Sequence, residues 1–397
     1  MATLPLAENS KKPRPMVSLR RIGPAVVLIC LLLDIALRFL PPRFIAFRAW
    51  ESVTLFATGD GPFIANTVYS NTRSYGDLAN LANLPHLRQY REEVFRTDAA
   101  GYRNRREAAK PFTGILLVGD SFTAGAGVSD EQTLSEQLQD ISGRAVYNGA
   151  RSRAGTEASS LRELLRYLQM TGGLVVWQQL ERADLPLLSS DGPEQNWKRR
   201  LTRRVFSNEH TEALIRMNRY VKAWWSYSPL QILFGRAVKL LQNDKIFPNP
   251  YRTEVVAAKL RNGREILFAP AELKNYDLER PTDPEFFVHL KTQLRKNGIE
   301  LLVLLVPDKY VVYHDLLLSD LPRTEGRRFL DVLEQRLAAA DVPVLNLTPS
   351  FREQAEERLA RDEYLYWLDD THWNAEGIRE AAKAIAKSKA VFQCTCR

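Results

Sequence analysis

The sequence predicts an α/β fold in which a mostly parallel, five-stranded sheet lies between layers of helices. Five apolar runs of strand length occur along the chain, and several of them are continuous rather than alternating, which is typical of strands buried on both faces. Helical stretches alternate with these runs, as in a parallel sheet with crossover connections. The 397-residue length is sufficient for one such domain with additional segments.

The elements are predicted from apolar patterns and from capping signals. The strands are predicted over residues 114–119, 145–147, 174–180, 299–306 and 342–347. The helices are predicted over residues 129–141, 157–168, 284–296, 324–340 and 374–387. Ser129 and Gln132 have the spacing of a capping box at the start of the first of these helices. The alternation favours a three-layer sandwich.

Residues 185–283 interrupt this alternation and are interpreted as an insertion after the third strand. The segment is basic, and Asn262-Gly263 between two apolar runs predicts a hairpin. Because ligands bind at the carboxyl ends of parallel strands, a lid or substrate-binding cap is a reasonable hypothesis. Its tryptophans, which include Trp197, Trp224 and Trp225, suit stacking on a polysaccharide, although core packing explains any one of them slightly better.

Residues 22–40 form an apolar segment that is predicted to be a transmembrane signal-anchor. About 20 residues are needed to cross a bilayer, and the positive-inside rule places the basic tail, residues 1–21, in the cytoplasm. Asp34 and Arg38 fall in the second half of the segment, near the outer interface. A cleaved signal peptide is the competing interpretation. Either interpretation exports the rest of the chain, which divides into an N-terminal subdomain or linker, 41–110, and a main domain, 111–390.

Composition excludes several classes of function. The net charge of +8 comes largely from local basic runs, and no zinc-finger, RNP-like or basic-zipper pattern accompanies them, so nucleic acid is not expected as a partner. The three cysteines cannot form a disulfide framework for the main domain. The five histidines show no metal-ligand spacing, and we therefore predict no metal site and no cofactor.

Ser121 is the candidate nucleophile. It stands in the run Gly-Asp-Ser-Phe-Thr-Ala-Gly directly after the first predicted strand. This position places a hydroxyl at the carboxyl edge of the sheet and beside a helix N-terminus, whose backbone N–H groups can stabilise an oxyanion. On its own, the triplet is also compatible with a plain turn and helix cap.

His372 is the candidate general base, and its position strengthens the assignment of Ser121. A serine needs an imidazole to become nucleophilic, and the imidazole needs a carboxylate to fix its tautomer. Asp370 lies two residues before the histidine and Asp369 three residues before it, just ahead of the last predicted helix. Either carboxylate could complete the triad, and the sequence favours Asp370.

These motifs resemble those of an SGNH (GDSL-type) hydrolase over residues 95–390, because the Gly-Asp-Ser block and the terminal Asp/His block match in chain order. Three segments resemble more narrowly the AlgX/AlgJ-like alginate O-acetyltransferase group: residues 370–374, 176–182 and 306–313. The resemblance implies a flavodoxin-like sheet, the SGNH hydrolase fold, with Ser121 as nucleophile and His372 as base. In the alginate enzymes the Asp/His block precedes the serine, so the narrower resemblance is limited to local motifs.

The oxyanion hole departs from the SGNH pattern, in which a Gly-x-Asn-Asp motif follows the third strand. Here Gln178-Gln179-Leu180-Glu181-Arg182 occupies that position. The expected donors are therefore Ser121 together with Asn148 or Gly149, which follow the second strand. Possible substrate contacts are the side chains near the predicted site: Arg182, Lys309, Tyr313 and Trp373. Structural ion pairing of Arg182 is an equally good interpretation.

The expected activity is acyl transfer through an acyl-enzyme on Ser121, with a sugar hydroxyl or water as acceptor. The resemblance implies an O-acetyltransferase that acts on a polysaccharide, with a membrane-bound O-acyltransferase as acyl donor, and the predicted signal-anchor places it at the inner membrane with its catalytic domain exported. One alternative is an esterase that only hydrolyses carbohydrate or lipid esters. Another is a non-catalytic protein that binds or assembles polysaccharide.

Overall fold

The computed structural model describes residues 19–40, 48–49, 63–151, 158–186, 228–241, 255–274, 282–318, 321 and 329–388. Its strands are β1 (Val68–Ser74), β2 (Arg91–Arg96), β3 (Ile115–Val118), β4 (Val146–Asn148), β5 (Gly173–Leu180), β6 (Val256–Lys259), β7 (Glu265–Phe268), β8 (Ile299–Val306) and β9 (Val344–Asn346). Its α-helices are α1 (Leu19–Leu37), α2 (Asp77–Leu81), α3 (Ser121–Ala124), α4 (Leu134–Ser142), α5 (Ala158–Tyr167), α6 (Pro229–Leu241), α7 (Pro270–Lys274), α8 (Glu285–Arg295), α9 (Lys309–Tyr313), α10 (Phe329–Ala339), α11 (Thr348–Leu359) and α12 (Ala375–Lys387).

The central sheet has the strand order β4-β3-β5-β8-β9, and all of its pairings are parallel. In chain order of the sheet strands this is 2-1-3-4-5, the flavodoxin-like arrangement, which confirms the predicted five-stranded α/β sheet. The order reverses between β3 and β5, and ligands bind in the crevice that such a reversal opens at the carboxyl edge. Ser121 follows β3 at this edge.

Two apolar layers cover the sheet. Side chains of α4, α11 and α12 pack on one face, and side chains of α5, α8 and α10 pack on the other. β5 illustrates the division, because Val176 belongs to the first layer while Val175 and Trp177 belong to the second. Every residue of β5 is buried, as expected for a central parallel strand.

An N-terminal unit lies against the carboxyl edge of the sheet. β1 and β2 pair in an antiparallel hairpin, with α2 between them. The backbone N–H of Ala79 donates to the carbonyl of Asp369 at 3.1 Å, which joins α2 to the loop that carries the predicted histidine. This part of residues 41–110 therefore contributes to the surroundings of the site.

The predicted hairpin in the insertion is confirmed. β6 and β7 pair antiparallel, and Gly263 in the turn has a φ of +84°, a conformation that favours glycine. The hairpin packs into the core of the main domain, and the Leu267 N–H donates to the carbonyl of Leu368 at 2.9 Å. Trp197, Trp224 and Trp225 lie outside the described residues.

Helix α11 is absent from the sequence prediction, which passes directly from the fifth strand to the last helix. Its sequence has a weakly amphipathic pattern, with only Phe351, Ala355 and Leu359 buried. The predicted helix over 324–340 is present as α10, and residues 322–328 lie outside the described residues. Asn374 caps α12 by accepting from the N–H groups of Glu376 and Gly377.

The predicted signal-anchor coincides with α1, which packs against α6. Asp34 accepts from both the Nε and the Nη2 of Arg38, at 3.1 and 2.7 Å. Its second oxygen accepts from the Ser228 hydroxyl and the Leu230 N–H at the start of α6. Within the residues that the structure describes, no helix has the length and hydropathy required for a membrane span.

Candidate active site

Ser121 occupies the first position of α3, immediately beyond β3. The Asp120 side chain caps the helix by accepting from the Phe122 N–H at 2.9 Å. Gly119 makes the turn possible, because a β-carbon at that position would collide with Thr123 and Gln178. The strand, the glycine and the cap together present the Ser121 hydroxyl at the sheet edge, where the residue is half-buried.

His372 lies opposite the serine on the loop that precedes α12. Its Nε2 is 2.8 Å from the Ser121 Oγ, and its Nδ1 is 2.6 Å from the Asp370 Oδ1. An ionised carboxylate can only accept, so the proton of the neutral ring belongs on Nδ1. Nε2 is then oriented to accept a proton from Ser121, which is the arrangement of a nucleophile, a base and an orienting carboxylate.

The flanking residues hold the imidazole in place. The Phe122 ring lies 4.8 Å from the His372 ring, and the buried indole of Trp373 donates to the carbonyl of Phe122 at 3.0 Å. A short antiparallel bridge between Tyr366 and Trp373 closes the base of the loop. The loop and the nucleophile helix are therefore in direct contact.

Asp370, rather than Asp369, contacts the histidine. Asp369 points away and accepts from the Gly76 N–H at 2.7 Å, the Gln89 N–H at 2.9 Å and the Arg91 guanidinium at 3.0 Å. Both carboxylates are fully buried. Asp370 therefore orients His372, whereas Asp369 joins the histidine loop to the N-terminal unit.

The two aspartates experience opposite electrostatic effects. Burial acts to raise the pKa of Asp370, but Arg48, the His372 ring and Arg91 outweigh it and hold that pKa well below its usual range. Burial raises the pKa of Asp369 above its ordinary value, although Arg91 opposes the shift. Asp370 is consequently the carboxylate that stays ionised beside the imidazole.

Asp77 is a third carboxylate at the site, and the sequence prediction missed it. It accepts from the Thr371 N–H at 2.9 Å and the Thr371 hydroxyl at 2.8 Å, and its Oδ2 is 3.9 Å from the His372 Nδ1. Donor atoms of Asp77, Asp370 and His372 lie within 4.8 Å of one another, close enough for a metal ion. However, a cation would have to displace the arginines that already bind Asp370.

The predicted oxyanion donors Asn148 and Gly149 are engaged elsewhere. The fully buried Asn148 side chain donates to the carbonyl of Thr123 at 3.1 Å, and the Gly149 N–H donates to the carbonyl of Leu117 at 2.8 Å. These bonds stabilise the edge of the sheet, so the structure does not offer either group to a substrate. Among the described residues, the Ser121 N–H has no acceptor, as is usual in the first turn of a helix.

Gln178 is a donor that the sequence prediction did not single out. Its Oε1 accepts from the Asp120 N–H at 3.2 Å and the Thr123 hydroxyl at 2.8 Å, which fixes the orientation of the amide. Its Nε2 is buried and has no partner among the described residues. A buried donor without an acceptor costs about 1–3 kcal/mol, and such groups concentrate at functional sites. Gln178 lies near the end of β5, the third strand of the sheet in chain order, and the SGNH pattern places its Gly-x-Asn-Asp motif after that strand.

Only one of the four predicted substrate contacts reaches the surface. Arg182 pairs with Asp308, its guanidinium lies 5.2 Å from the Phe122 ring, and 20% of its side chain is exposed. Lys309, Tyr313 and Trp373 are fully buried, which differs from the expectation that they line an open site. Lys309 instead donates to the carbonyls of Asp370 and Trp367, at 2.6 and 3.2 Å. These two bonds stabilise the loop that carries His372.

The flavodoxin-like sheet and the Ser-His-Asp geometry are features expected of SGNH hydrolase-like domains. Residues 267–391 match the family model of the SGNH hydrolase-like domain of the acetyltransferase AlgX. This match confirms the predicted resemblance to the SGNH and AlgX-like group. It includes Asp370 and His372, whereas Ser121 precedes it. A search of curated proteins found no match to the chain.

Proposed function

We propose that this protein is a serine-dependent O-acyltransferase, with Ser121 as nucleophile, His372 as general base and Asp370 as the carboxylate that orients the base. The observation that carries the proposal is the continuous contact from Asp370 Oδ1 to His372 Nδ1 at 2.6 Å and from His372 Nε2 to Ser121 Oγ at 2.8 Å. An SGNH hydrolase-like domain is suited to acyl transfer or ester hydrolysis, and the family match supports that class.

In the proposed reaction, His372 Nε2 takes the hydroxyl proton as Ser121 Oγ attacks the carbonyl carbon of an acyl donor. The tetrahedral oxyanion then collapses, the alcohol leaving group takes the proton from His372, and an acyl-serine remains. A second hydroxyl reverses these steps and carries the acyl group away. Asp370 stabilises the imidazolium in both halves of the reaction.

We propose that the oxyanion is stabilised by the Ser121 N–H and the Gln178 amide rather than by Asn148 and Gly149. The Ser121 N–H begins a helix, and its lack of a described acceptor leaves it able to bind an anion. The Gln178 Nε2 would gain a hydrogen bond, since it has no partner within the part of the chain that the structure describes.

The proposed acyl group is acetyl, and the proposed acceptor is a sugar hydroxyl of a cell-surface or exported polysaccharide. Support comes from the matched domain, which is that of an acetyltransferase. The partly exposed Arg182 beside Phe122 would suit an acceptor that carries acidic groups. A membrane-bound O-acyltransferase is the proposed source of the acetyl group.

We also propose that α1 attaches the protein to the inner membrane, with the catalytic domain outside the cytoplasm. Val27 and Ile29 are 68% and 62% exposed, an unusual environment for such side chains in water. Asp34 and Arg38 pair with each other, which lowers the cost of bringing their charges near lipid. Alkaline carbonate extraction of membranes would test this: loss of the protein into the wash contradicts the attachment.

The experiment that tests the proposed function compares acyl transfer with hydrolysis. The purified protein is incubated with p-nitrophenyl acetate, with and without oligosaccharide acceptors, beside Ser121→Ala. Mass spectrometry of the oligosaccharides should reveal an added acetyl group only with the native serine. Nitrophenol release without acetylated sugar would instead favour a carbohydrate or lipid esterase. Absence of both products in a folded protein would favour a binding or assembly role.

A further inference from the structure

The carboxylate of Asp370 divides its two oxygens between the histidine and the N-terminal unit. Oδ1 accepts from the Nδ1 and the backbone N–H of His372, at 2.6 and 3.0 Å. Oδ2 accepts from Arg48 Nη1 at 2.8 Å, Arg91 Nη2 at 3.0 Å and the Asp77 N–H at 3.1 Å. Asp370 is fully buried, so these protein donors replace water around the charge.

Arg91 is itself bound on every side. Its Nε donates to the carbonyl of Gly127 at 3.1 Å, and its Nη1 donates to the carbonyl of Gln89 at 2.8 Å and to Asp369 at 3.0 Å. Its guanidinium stacks 4.1 Å from the centre of the Trp367 ring. Gly127 follows the nucleophile helix, whereas Asp369 and Asp370 precede the histidine. One guanidinium therefore ties the loop after Ser121 to the loop before His372.

The cations around Asp370 and His372 offset most of the carboxylate charge. Arg48, Arg91 and Lys309 face Asp77, Asp369 and Asp370, and Glu272 faces Lys309 from α7. Loss of one arginine would leave additional uncompensated negative charge beside His372, and such charge favours the protonated ring. The planar, five-donor guanidinium is also the group that best fixes a carboxylate in one orientation.

We infer that Arg91, assisted by Arg48, is a positioning residue that aligns Asp370 with His372 and ties both to the nucleophile loop. This inference rests on the proposed function, and it makes the N-terminal unit an integral part of the active site although it lies outside the matched residues 267–391. Neither arginine touches the reacting atoms. The effect of each is transmitted through Asp370.

The test uses the full chain with Arg91→Gln, Arg91→Lys and Arg48→Gln. The matched control is Arg105→Gln, because Arg105 pairs with Glu136 at 3.4 Å and is largely exposed. Proton NMR detects the His372 Nδ1–H as a downfield signal when its short bond to Asp370 is intact, and this readout requires no turnover. We expect the signal in the wild type and the control, a weakened signal in Arg91→Lys, which keeps the charge but not the fork of donors, and loss of the signal in Arg91→Gln.

Kinetics provide a second readout with p-nitrophenyl acetate as the substrate. We expect Arg91→Gln to lower kcat about 100-fold with KM within about twofold, the effect of a misaligned catalytic group. The acidic limb of its pH–activity profile should move to higher pH, because the remaining negative charge favours the protonated ring. Arg91→Lys should retain the wild-type limb.

Retention of the downfield signal and of kcat in both Arg91→Gln and Arg48→Gln would overturn the inference. If Arg91→Gln fails to fold, as judged by circular dichroism, Arg48→Gln decides the question by the same two readouts. An inactive wild type with an intact downfield signal that Arg91→Gln or Arg48→Gln abolishes would refute the proposed function while supporting the positioning role. A loss of kcat that is equal at every pH, with the downfield signal retained, would indicate a purely structural role and overturn the inference.

Discussion

His372 Nε2 lies 2.8 Å from Ser121 Oγ, although 251 residues separate the two in the chain. The contact forms because Ser121 follows β3 at the carboxyl edge of the sheet, and the loop before α12 places His372 at the same edge. Asp370 completes the contact through the other ring nitrogen. This relationship underlies each of the predictions below.

Ser121→Ala should abolish ester turnover. Removal of a triad nucleophile lowers kcat by a factor of about 10⁴ or more, and among the described residues no other hydroxyl contacts the His372 Nε2. Steady-state hydrolysis of p-nitrophenyl acetate measures the effect. Ser142→Ala is the matched control, since the Ser142 hydroxyl bonds the carbonyl of Leu138 within α4. Equal activity in Ser121→Ala and the wild type would refute the assignment.

Exchange of the two neighbouring aspartates for asparagine should give different results. Asp370→Asn should lower kcat by about 10³–10⁴, because an amide can no longer hold the productive tautomer of His372. Asp369→Asn should keep activity within about tenfold and lower the free energy of unfolding by about 1–3 kcal/mol, because in either orientation its NH2 group faces donors, the Arg91 guanidinium or the Gly76 and Gln89 N–H groups. Kinetics and urea titration separate these effects, and a reversed pattern would assign the triad to Asp369.

The stabilising effect of Asp370 should depend on pH. The pKa of Asp370 is lower in the folded chain than its ordinary value of 3.8, so the ionised carboxylate stabilises the fold above that pH. The contribution should fall as pH drops below 3.8 toward the folded pKa. Urea unfolding of the wild type and Asp370→Asn from pH 7 downward measures the difference. A stability difference that grows as the solution becomes more acidic would contradict the predicted sign.

Gln178→Met should impair catalysis without preventing acylation altogether. Loss of one oxyanion donor costs about 10²–10³ in kcat. Gln179→Met is the matched control, because Gln179 points to the opposite face of β5 and donates to the carbonyls of Leu180 and Ala183. Equal kcat values for the two variants would remove Gln178 from the oxyanion hole.

The sequence predicts the sheet and the Ser-His pair well for identifiable reasons. Apolar runs such as Ile299–Val306 are buried on both faces, so their composition alone marks them as central strands. The motifs around Ser121 and His372 are short and local, and each lies at the end of a predicted element. The topology then brings these two residues together without further information.

Other parts of the site depend on distant contacts that no local pattern encodes. Arg48 and Arg91 lie 322 and 279 residues from Asp370, and nothing in their immediate sequence indicates a catalytic environment. Lys309 and Tyr313 follow a strand and so resemble pocket residues, yet both side chains are buried where α9 packs against the core. Asn148 follows a strand end and so resembles an oxyanion donor, yet its side chain donates to the carbonyl of Thr123.

The most direct test of the central claim is the intact mass of the protein after treatment with a serine-directed fluorophosphonate, followed by peptide mapping. The account predicts a single adduct on Ser121 in the wild type, and no adduct in Ser121→Ala. It also predicts much slower labelling in His372→Gln, because the reagent requires the activated hydroxyl. A folded wild-type protein that remains unlabelled, or that is labelled at another residue, would contradict the assignment of Ser121 as nucleophile.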